Sequence, residues 1–223
     1  MTTPRNRNPR GEGGRLRSDI VDAAARLLDE HRTTAAVTLR AVARTAGIAA
    51  PSIYPHFADP QEILLALAQR EFAAFDVFLR EQVAAAGDDP TDRLMAWPRA
   101  YLAFAAAEPQ RYLLMLGGVW NAAPAIADDT LDRNEVAALG QPLLDYLAEL
   151  VRDCLTTSYV VDTDAAVEAA VLWVGVHGLA HQRIVSTARP WPEDITEELI
   201  RRLVPSAGAS QRDEERAALG RAD

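Results

Sequence analysis

Three side chains that can donate hydrogen bonds recur at every second position in an early part of the chain. Ser52 and Tyr54 carry hydroxyls and His56 carries a ring N–H, and all three groups are suitable donors to the phosphate oxygens of a nucleic acid. Two arginines, Arg40 and Arg44, precede them with a spacing of four residues, which places both on one face of a helix. Guanidinium groups pair bidentately with phosphates and with guanine edges. This stretch therefore predicts a nucleic-acid contact surface.

Each of these positions also allows an ordinary structural role. Thr38 is a good N-cap for the helix that follows it, and its hydroxyl could in addition meet a phosphate. Tyr54 could be a packing aromatic whose hydroxyl reaches water, although we favour a phosphate contact. His56 could equally cap the carboxyl end of its own helix. The neighbouring apolar residues Ile53 and Phe57 are predicted to be core.

Three short helices are predicted to position these side chains. Apolar periodicity indicates helices over residues 16–30, 38–45 and 50–56, and Gly47 ends the second, because glycine adopts the left-handed turn at little cost. This is the spacing of a helix-turn-helix, whose second helix enters the major groove of DNA. Base-specific hydrogen bonds would fall to Arg40, Arg44 or the N-terminal arm. The residues that begin the recognition helix are small and apolar, and could read only thymine methyl groups: Ala49, Ala50 and Pro51.

The distribution of charge supports a nucleic-acid partner at the N-terminal end. The whole chain has a net charge of −9 at pH 7. Residues 1–56 carry nine arginines against five acidic residues, a net charge of +4, and the remainder carries −13. A basic end joined to an acidic body indicates that one segment faces phosphate while the rest does not.

The sequence around these residues is similar to that of a known family. The stretch from Thr38 to Phe57 reads TLRAVARTAGIAAPSIYPHF, and a helix-start pattern, DPQE, follows it. A Thr-capped helix, Ala-Gly-Ile at the turn and Ser-Ile-Tyr-x-His-Phe before an acidic cap resemble the DNA-binding signature of the TetR family of transcriptional regulators. The resemblance covers residues 20–65. Ala49 departs from it by standing where serine is common, and Pro60 by standing where lysine is common, which removes one possible phosphate contact.

The resemblance implies an all-α homodimer that binds double-stranded operator DNA through its N-terminal domain. It also implies that a small-molecule effector, held in the C-terminal domain, releases the protein from DNA. Repression is the expected mode of action. The alternative that the residues leave open is a helix-turn-helix protein without a small effector, controlled by a protein partner.

The C-terminal part contains the candidate effector site. Residues 101–105, 108–115 and 173–180 are similar to motifs of a TetR subgroup with a Trp…His-Gly signature. Small-molecule pockets are mostly apolar with a few placed polar groups, although for any single residue plain core is the better interpretation. The acidic surroundings favour a neutral or cationic effector. The expected lining residues are Trp97, Tyr101, Phe104, Tyr112, Met115, Trp120, Trp173 and His177.

Catalysis and metal binding are not expected. His177 and His181 are four residues apart, as zinc ligands on a helix can be. Gly178, however, stands where a metalloprotease needs its glutamate, and no nearby residue supplies an obvious third ligand. The chain also lacks a nucleophile elbow, a phosphate-binding glycine loop and a convincing catalytic dyad. We therefore expect no metal, no cofactor and no enzymatic activity, with a hydrolase fused to a helix-turn-helix as the discarded alternative.

Four segments are predicted: a disordered basic arm over residues 1–14, the DNA-binding domain over 15–60, the effector-binding and dimerisation domain over 61–204, and a flexible tail over 205–223. The fourth helix should cover residues 60–86, since Asp59, Pro60 and Glu62 form a strong helix start. No signal peptide or membrane span is recognised, so a cytoplasmic protein without membrane contact is expected.

Further helices are predicted over residues 91–107, 109–116, 136–155, 164–186 and 192–203. The helices over 136–155 and 164–186 should form the dimer interface, with Tyr146, Val151, Val171, Val174 and Val185 against the partner.

Overall fold

Ten α-helices and two 3₁₀ turns make up the part of the chain that the computed structural model describes, which is residues 12–157, 164–188 and 190–204. Within these residues the structure has no strand, and the predicted all-α class is confirmed. The predicted arm, apart from residues 12–14, and the predicted tail lie outside the described residues. The 3₁₀ turns are Thr34–Ala36 and Ala50–Ser52. The helices are α1 (Glu12–His31), α2 (Leu39–Ala46), α3 (Pro60–Ala85), α4 (Pro90–Ala107), α5 (Pro109–Met115), α6 (Ala123–Ala127), α7 (Arg133–Ala137), α8 (Gln141–Thr157), α9 (Ala165–Val185) and α10 (Ile195–Leu203).

The helices divide into two compact units. The first contains the residues up to Glu71 together with Leu114–Ala137, and the second contains Phe72–Leu113 together with the residues from Ala138 onward. The first unit is therefore larger than the predicted DNA-binding domain of residues 15–60, because the start of α3 and the later segment with α6 and α7 belong to it. Helices α3 and α5 each contribute residues to both units.

The first unit has its own apolar core, in which α1 packs against α2. The residues predicted to be core in the helix-turn-helix, Ile53 and Phe57, are fully buried. Leu114, which lies far along the chain, joins the same cluster. The other buried members include Ile20, Ala24, Leu27, Val42, Ile63, Leu64 and Leu67.

Local hydrogen bonds fix both ends of α2 as the sequence predicts. The Thr38 hydroxyl accepts from the Ala41 N–H at 3.2 Å, which satisfies one of the free donors of the first turn. At the other end Gly47 has φ of 69° and its N–H donates to the Ala43 and Arg44 carbonyls. This is a left-handed cap, which glycine adopts with least strain.

The start of α3 is also fixed by its own side chains. Asp59 Oδ1 accepts from the Gln61 N–H at 2.7 Å, and Glu62 Oε2 accepts from the Ala58 N–H at 2.8 Å. The predicted capping pattern is confirmed, and it holds the segment before α3 in a defined conformation.

The prediction of a regular α-helix over residues 50–56 is wrong. The structure has a 3₁₀ turn, Ala50–Ser52, followed by turns in which Ile53 O accepts from the N–H groups of His56 and Phe57. Proline explains the difference, because Pro55 has no N–H to donate to Pro51 and its ring crowds the carbonyl four residues earlier. A regular helix therefore cannot continue through this segment.

The core of the second unit is formed by α4, α8 and α9, and α10 packs on α9 and α4. Gly175 allows the close approach of α10, since a Cβ at that position would overlap Leu203 Cδ1. Among the described residues no helix is both long and apolar enough to cross a membrane. The buried residues include Leu94, Trp97 and Tyr101 on α4, Leu147 and Val151 on α8, and Leu172 and Val176 on α9.

The predicted helix over residues 136–155 is two helices. The first, α7, ends at Ala137, and α8 begins at Gln141, with Pro142 at its second position. Between them Gly140 has φ of 76°, a conformation that interrupts a right-handed helix. The chain also passes close to Phe72 there, since a Cβ on Gly140 would lie 3.0 Å from Phe72 Cε1.

Candidate DNA-binding surface and effector site

The residues predicted to contact DNA all lie in the first unit, on α2, on its N-cap and in the segment after Gly47. Ala50, Ser52 and His56 are half-buried. The other six are exposed: Thr38, Arg40, Arg44, Ala49, Pro51 and Tyr54. The structure thus leaves all nine at least partly open to solvent.

Arg40 and Arg44 lie on the exposed face of α2, while Val42 and Ala43 on its other face are buried. Among the described residues neither guanidinium has a salt bridge or a hydrogen bond. Some other arginines of this unit are engaged within the chain, such as Arg70, which pairs with Asp22. Arg26 Nη2 lies 3.4 Å from the Thr45 carbonyl. The two α2 arginines are therefore available to an outside anion.

Tyr54 and His56 differ in their exposure. Tyr54 is 61% exposed, which excludes the packing-aromatic interpretation for this conformation. His56 is half-buried and, within the part of the chain that the structure describes, its ring has no hydrogen bond, so no capping of its own helix is observed. It lines a cavity of about 290 Å³ together with Arg17 and Glu62.

Three of the residues predicted to bind an effector are joined by hydrogen bonds in the second unit, and we call them the Tyr–His chain: Tyr101, Tyr112 and His177. Trp173 stacks on His177, with ring centroids 5.1 Å apart. The Tyr112 hydroxyl lies 2.8 Å from His177 Nδ1 and the Tyr101 hydroxyl lies 3.2 Å from it. His177 Nδ1 accepts from these hydroxyls when the ring proton lies on Nε2.

Burial keeps the Tyr–His chain uncharged at neutral pH. Desolvation raises the pKa of Tyr101 far above its usual range, and it raises the pKa of Tyr112 to about 12. Desolvation also lowers the pKa of His177, and the neighbouring His181 lowers it further. The chain joins α4, α5 and α9 through neutral hydrogen bonds.

The aromatic residues around the Tyr–His chain are packed as core in this conformation. Trp97, Tyr101 and Tyr112 have no exposed surface. Phe104 stacks on Phe75 with ring centroids 4.3 Å apart. Among the described residues the buried Trp97 Nε1 has no hydrogen-bond partner. An effector that contacts these side chains must therefore displace some of them.

Trp120 and Met115 do not join the other predicted effector residues. Both belong to the first unit, where Trp120 packs against the apolar core and its Nε1 donates to Gln61 Oε1 at 2.9 Å. The cause is the return of Leu114–Ala137 to the first unit, which is a long-range contact that no local pattern indicates.

The sequence interpretation missed an apolar groove of about 440 Å³ in the second unit. We call it the Arg183 groove, after the one charged residue of its lining. Most of its walls are small or aliphatic side chains, which give no chemical signal in a sequence. The one available sign was Arg183 near the end of the predominantly apolar helix α9. The walls include Leu102, Ala105 and Ala106 of α4, Pro109 of α5, and Ala180 and Ile184 of α9.

The fold is similar to that of solved bacterial proteins. FadR, a fatty acid degradation regulator from Bacillus halodurans, superposes with a TM-score of 0.67 and 16% identity, over 91% of this chain and 98% of that chain. A protein of unknown function from Rhodococcus sp. RHA1 gives a TM-score of 0.68 and 23% identity, over 92% and 100%. FadR from Bacillus subtilis, a transcriptional regulator solved in complex with stearoyl-CoA, gives 0.63 and 13%, over 84% and 97%. Identities this low show a common fold alone.

Sequence-family models identify the family. Residues 20–67 match the model described as bacterial regulatory proteins, tetR family, and residues 94–207 match the model described as Tetracyclin repressor-like, C-terminal domain. A search among curated proteins finds no match. The similarity of residues 173–180 to one subgroup stays a prediction. The two matched segments account for most of the chain and fall in the expected order, so the chain belongs to the TetR family of transcriptional regulators.

Proposed function

We propose that this regulator is a repressor, held on operator DNA by its first unit and released by a small effector bound in its second unit. The observation that carries the DNA-binding part is the pair of unpaired guanidinium groups on the exposed face of α2, Arg40 and Arg44, in the same unit as the exposed Tyr54. Uncompensated surface cations beside hydroxyl donors favour the phosphate backbone of DNA.

The residues of the DNA surface divide into positioning and reading roles. Thr38, Ser52, Tyr54 and His56 contact phosphates, because their polar groups are partly or fully accessible. Arg40 and Arg44 are long enough to reach base edges, where arginine pairs with guanine. The small side chains at the start of the recognition segment allow the backbone to approach the groove closely: Ala49, Ala50 and Pro51.

Helix α9 supplies the interface for a homodimer. Its exposed valines form one stripe, which we call the valine stripe: Val167, Val171, Val174 and Val185, each about half exposed or more. Their spacing places them on one face of the helix. Gly178 lies on the same face with open space around its Cα. An exposed apolar stripe of this length on a helix favours burial against a second copy.

Helix α8 contributes less to this interface than its sequence predicts. Tyr146 and Val151, which were expected to meet the partner, are buried within their own chain. Apart from Pro142 in its first turn, the side chains that α8 exposes are polar, including Asp145, Glu149 and Arg152. The reason is that α8 packs against both α4 and α9, so its own chain covers nearly all of its apolar surface.

The Tyr–His chain provides a physical basis for effector release. Helix α5 carries Tyr112, which binds His177 in the second unit, and also Leu114, which is buried in the core of the first unit. An effector that displaces Tyr112 therefore also moves Leu114, since one helix carries both. In a dimer, such a shift alters the spacing of the two recognition segments and weakens their fit to successive major grooves.

The test begins with selection of bound sequences from a random DNA pool. The proposal expects a near-palindromic operator with half-sites about one helical turn apart. Tyr54→Phe should then weaken binding to the operator and to random DNA by a similar factor, since a phosphate contact carries no sequence information. A variant that changes sequence preference without changing overall affinity would contradict the positioning role.

Release is tested by screening small molecules against the complex of protein and selected operator. Compounds that bind the purified protein should lower operator affinity. If only a protein partner lowers it, control by a protein partner replaces the small effector.

A further inference from the structure

The Arg183 groove combines apolar walls with one cation that has no acidic partner. Arg183 is half-buried, and its Nη2 donates to Thr196 Oγ1 at 2.9 Å. Among the described residues no carboxylate lies within salt-bridge distance of its guanidinium. A guanidinium has five N–H donors in a planar fork, so several remain for a ligand.

The nearest acidic residues on α10 are already occupied. Glu197 pairs with Arg99 at 2.6 Å, and Glu198 binds both Arg201 and Arg202. Among the described residues, the half-buried guanidinium of Arg183 is therefore left without a carboxylate in a unit that is acidic in composition. Partial burial of an unpaired charge is unfavourable, and an anionic ligand would remove that cost.

The walls of the groove specify the rest of the ligand. Ala105, Ala106 and Ala180 are small, and the space that they leave is bordered by Leu102 and Ile184. The volume of about 440 Å³ falls within the range of small-molecule sites. An apolar body with one negative end fits these walls and this cation.

We propose that the Arg183 groove binds an amphipathic monocarboxylate, with the carboxylate on Arg183 and an aliphatic chain along the alanines of α4 and α9. This names the chemical class of the effector, and it rests on the proposed effector-binding role of the second unit. It replaces the neutral or cationic effector that the acidic composition suggests, because the local cation outweighs the average charge of the surface.

The position of the groove suits both dimerisation and release. Arg183 follows Val174 by nine residues, which places it about 180° around α9 from the valine stripe. A partner on the stripe therefore leaves the groove open. Leu102 and Ala180 lie within one turn of Tyr101 and His177 respectively. A ligand in the groove thus contacts α4, α5 and α9, the three helices that the Tyr–His chain joins.

Calorimetric titration of the full-length protein with decanoate, decanol and decylamine tests the proposal, since the three probes share one chain length. Decanoate should bind at least about tenfold more tightly than decanol, the lower end of what a charge-assisted hydrogen bond contributes, and decylamine should bind least. Arg183→Gln should reduce decanoate affinity to that of decanol and leave decanol unchanged. Arg152→Gln, which removes an exposed arginine of α8, is the control, and Ala106→Leu should weaken both decanoate and decanol by filling the groove.

Equal binding of decanoate and decanol, no binding of any probe, or an unchanged decanoate affinity in a folded Arg183→Gln protein would overturn the proposal. The effector role is measured separately, as the operator affinity with and without decanoate. Arg183-dependent binding that leaves operator affinity unchanged would refute the effector role while the site stands. Release by compounds whose binding does not depend on Arg183 would support the effector role of the second unit. It would refute the Arg183 groove as the place where the effector binds.

Discussion

The two units use their polar side chains in opposite ways. The first unit leaves Arg40, Arg44 and Tyr54 exposed, and no described residue pairs with the two arginines. The second unit buries Tyr101 and Tyr112 completely and satisfies their hydroxyls within one chain of hydrogen bonds. Exposed, unpaired groups suit a contact that forms only when DNA arrives. Buried, paired groups hold helices together, and they suit the proposed response to an effector.

The largest expected effect concerns the valine stripe, the surface proposed to join two copies of the chain. Val174→Glu places a carboxylate at the centre of the stripe, and the two-fold axis of the proposed dimer would introduce it twice. Burying such unpaired charges costs several kcal/mol, so the dimer dissociation constant should rise by at least about a hundredfold. Analytical ultracentrifugation measures it.

Val77→Glu is the matched control for Val174→Glu. Val77 on α3 is 55% exposed, against 59% for Val174, but it lies outside the valine stripe. The control protein should remain as dimeric as the parent. Equal dissociation of both variants, or of neither, would show that the stripe is not the interface.

The next largest effect is expected in the first unit, at the two exposed arginines of α2. Arg40→Ala or Arg44→Ala should lower operator affinity more than affinity for random DNA if the arginine pairs with a base, which contributes about 1–3 kcal/mol. A phosphate contact would instead weaken both and reduce the salt dependence of binding. Fluorescence anisotropy at several salt concentrations separates the two. Arg152→Ala should bind DNA normally.

A smaller effect is expected from breaking the buried hydrogen bonds. Tyr101→Phe removes the buried hydroxyl that lies 3.2 Å from His177 Nδ1, so the free energy of unfolding should fall by about 0.5–1.5 kcal/mol. Tyr146→Phe is the control, because Tyr146 is also buried and no hydrogen bond to its hydroxyl is present among the described residues. Urea denaturation gives both values. Equal stability of the two variants would mean that the chain contributes nothing to the fold.

The smallest effect is a pH dependence of the second unit. Burial lowers the pKa of His177 in the folded protein, so the unfolded chain takes up its proton first as the pH falls. The contribution of neutral His177 to the free energy of unfolding is fully present above about pH 6.5, the ordinary histidine pKa. It is lost as the pH falls from there toward the lower pKa of the folded state, by at most about 1.4 kcal/mol per pH unit.

His177→Asn isolates this effect, since the amide oxygen can accept the Tyr112 hydroxyl in place of Nδ1 and does not titrate. Between pH 7.5 and pH 5.5 the parent protein should lose more stability than the variant. Identical losses would show that folding does not lower the pKa of His177.

The sequence predicts a unit well where its contacts join residues that are close together along the chain. In the first unit the cap at Thr38, the glycine turn at Gly47 and the capping of α3 by Asp59 and Glu62 are all confirmed, because each uses hydrogen bonds between residues at most four positions apart. The irregular segment after Gly47 was also foreseeable from local rules, since Pro55 forbids a regular helix. The apolar periodicity that predicts a helix over residues 50–56 does not take that proline into account.

The second unit depends on contacts between distant parts of the chain. Tyr101 and His177 are 76 positions apart, and no pattern in the sequence says that they meet. Trp120 was grouped with them as an aromatic of the same segment, yet its chain segment returns to the first unit. Val151 and Tyr146 are buried because other helices surround α8. The apolar periodicity of α8 does not show which helices cover it.

Sedimentation of the purified protein, alone and on DNA, tests most directly whether two copies of the chain act together on an operator. We expect a dimer at micromolar concentration, two chains on each palindromic operator, and much weaker binding to a single half-site. A monomer that binds one half-site as tightly as the palindrome would contradict the interface on α9 and the release mechanism together.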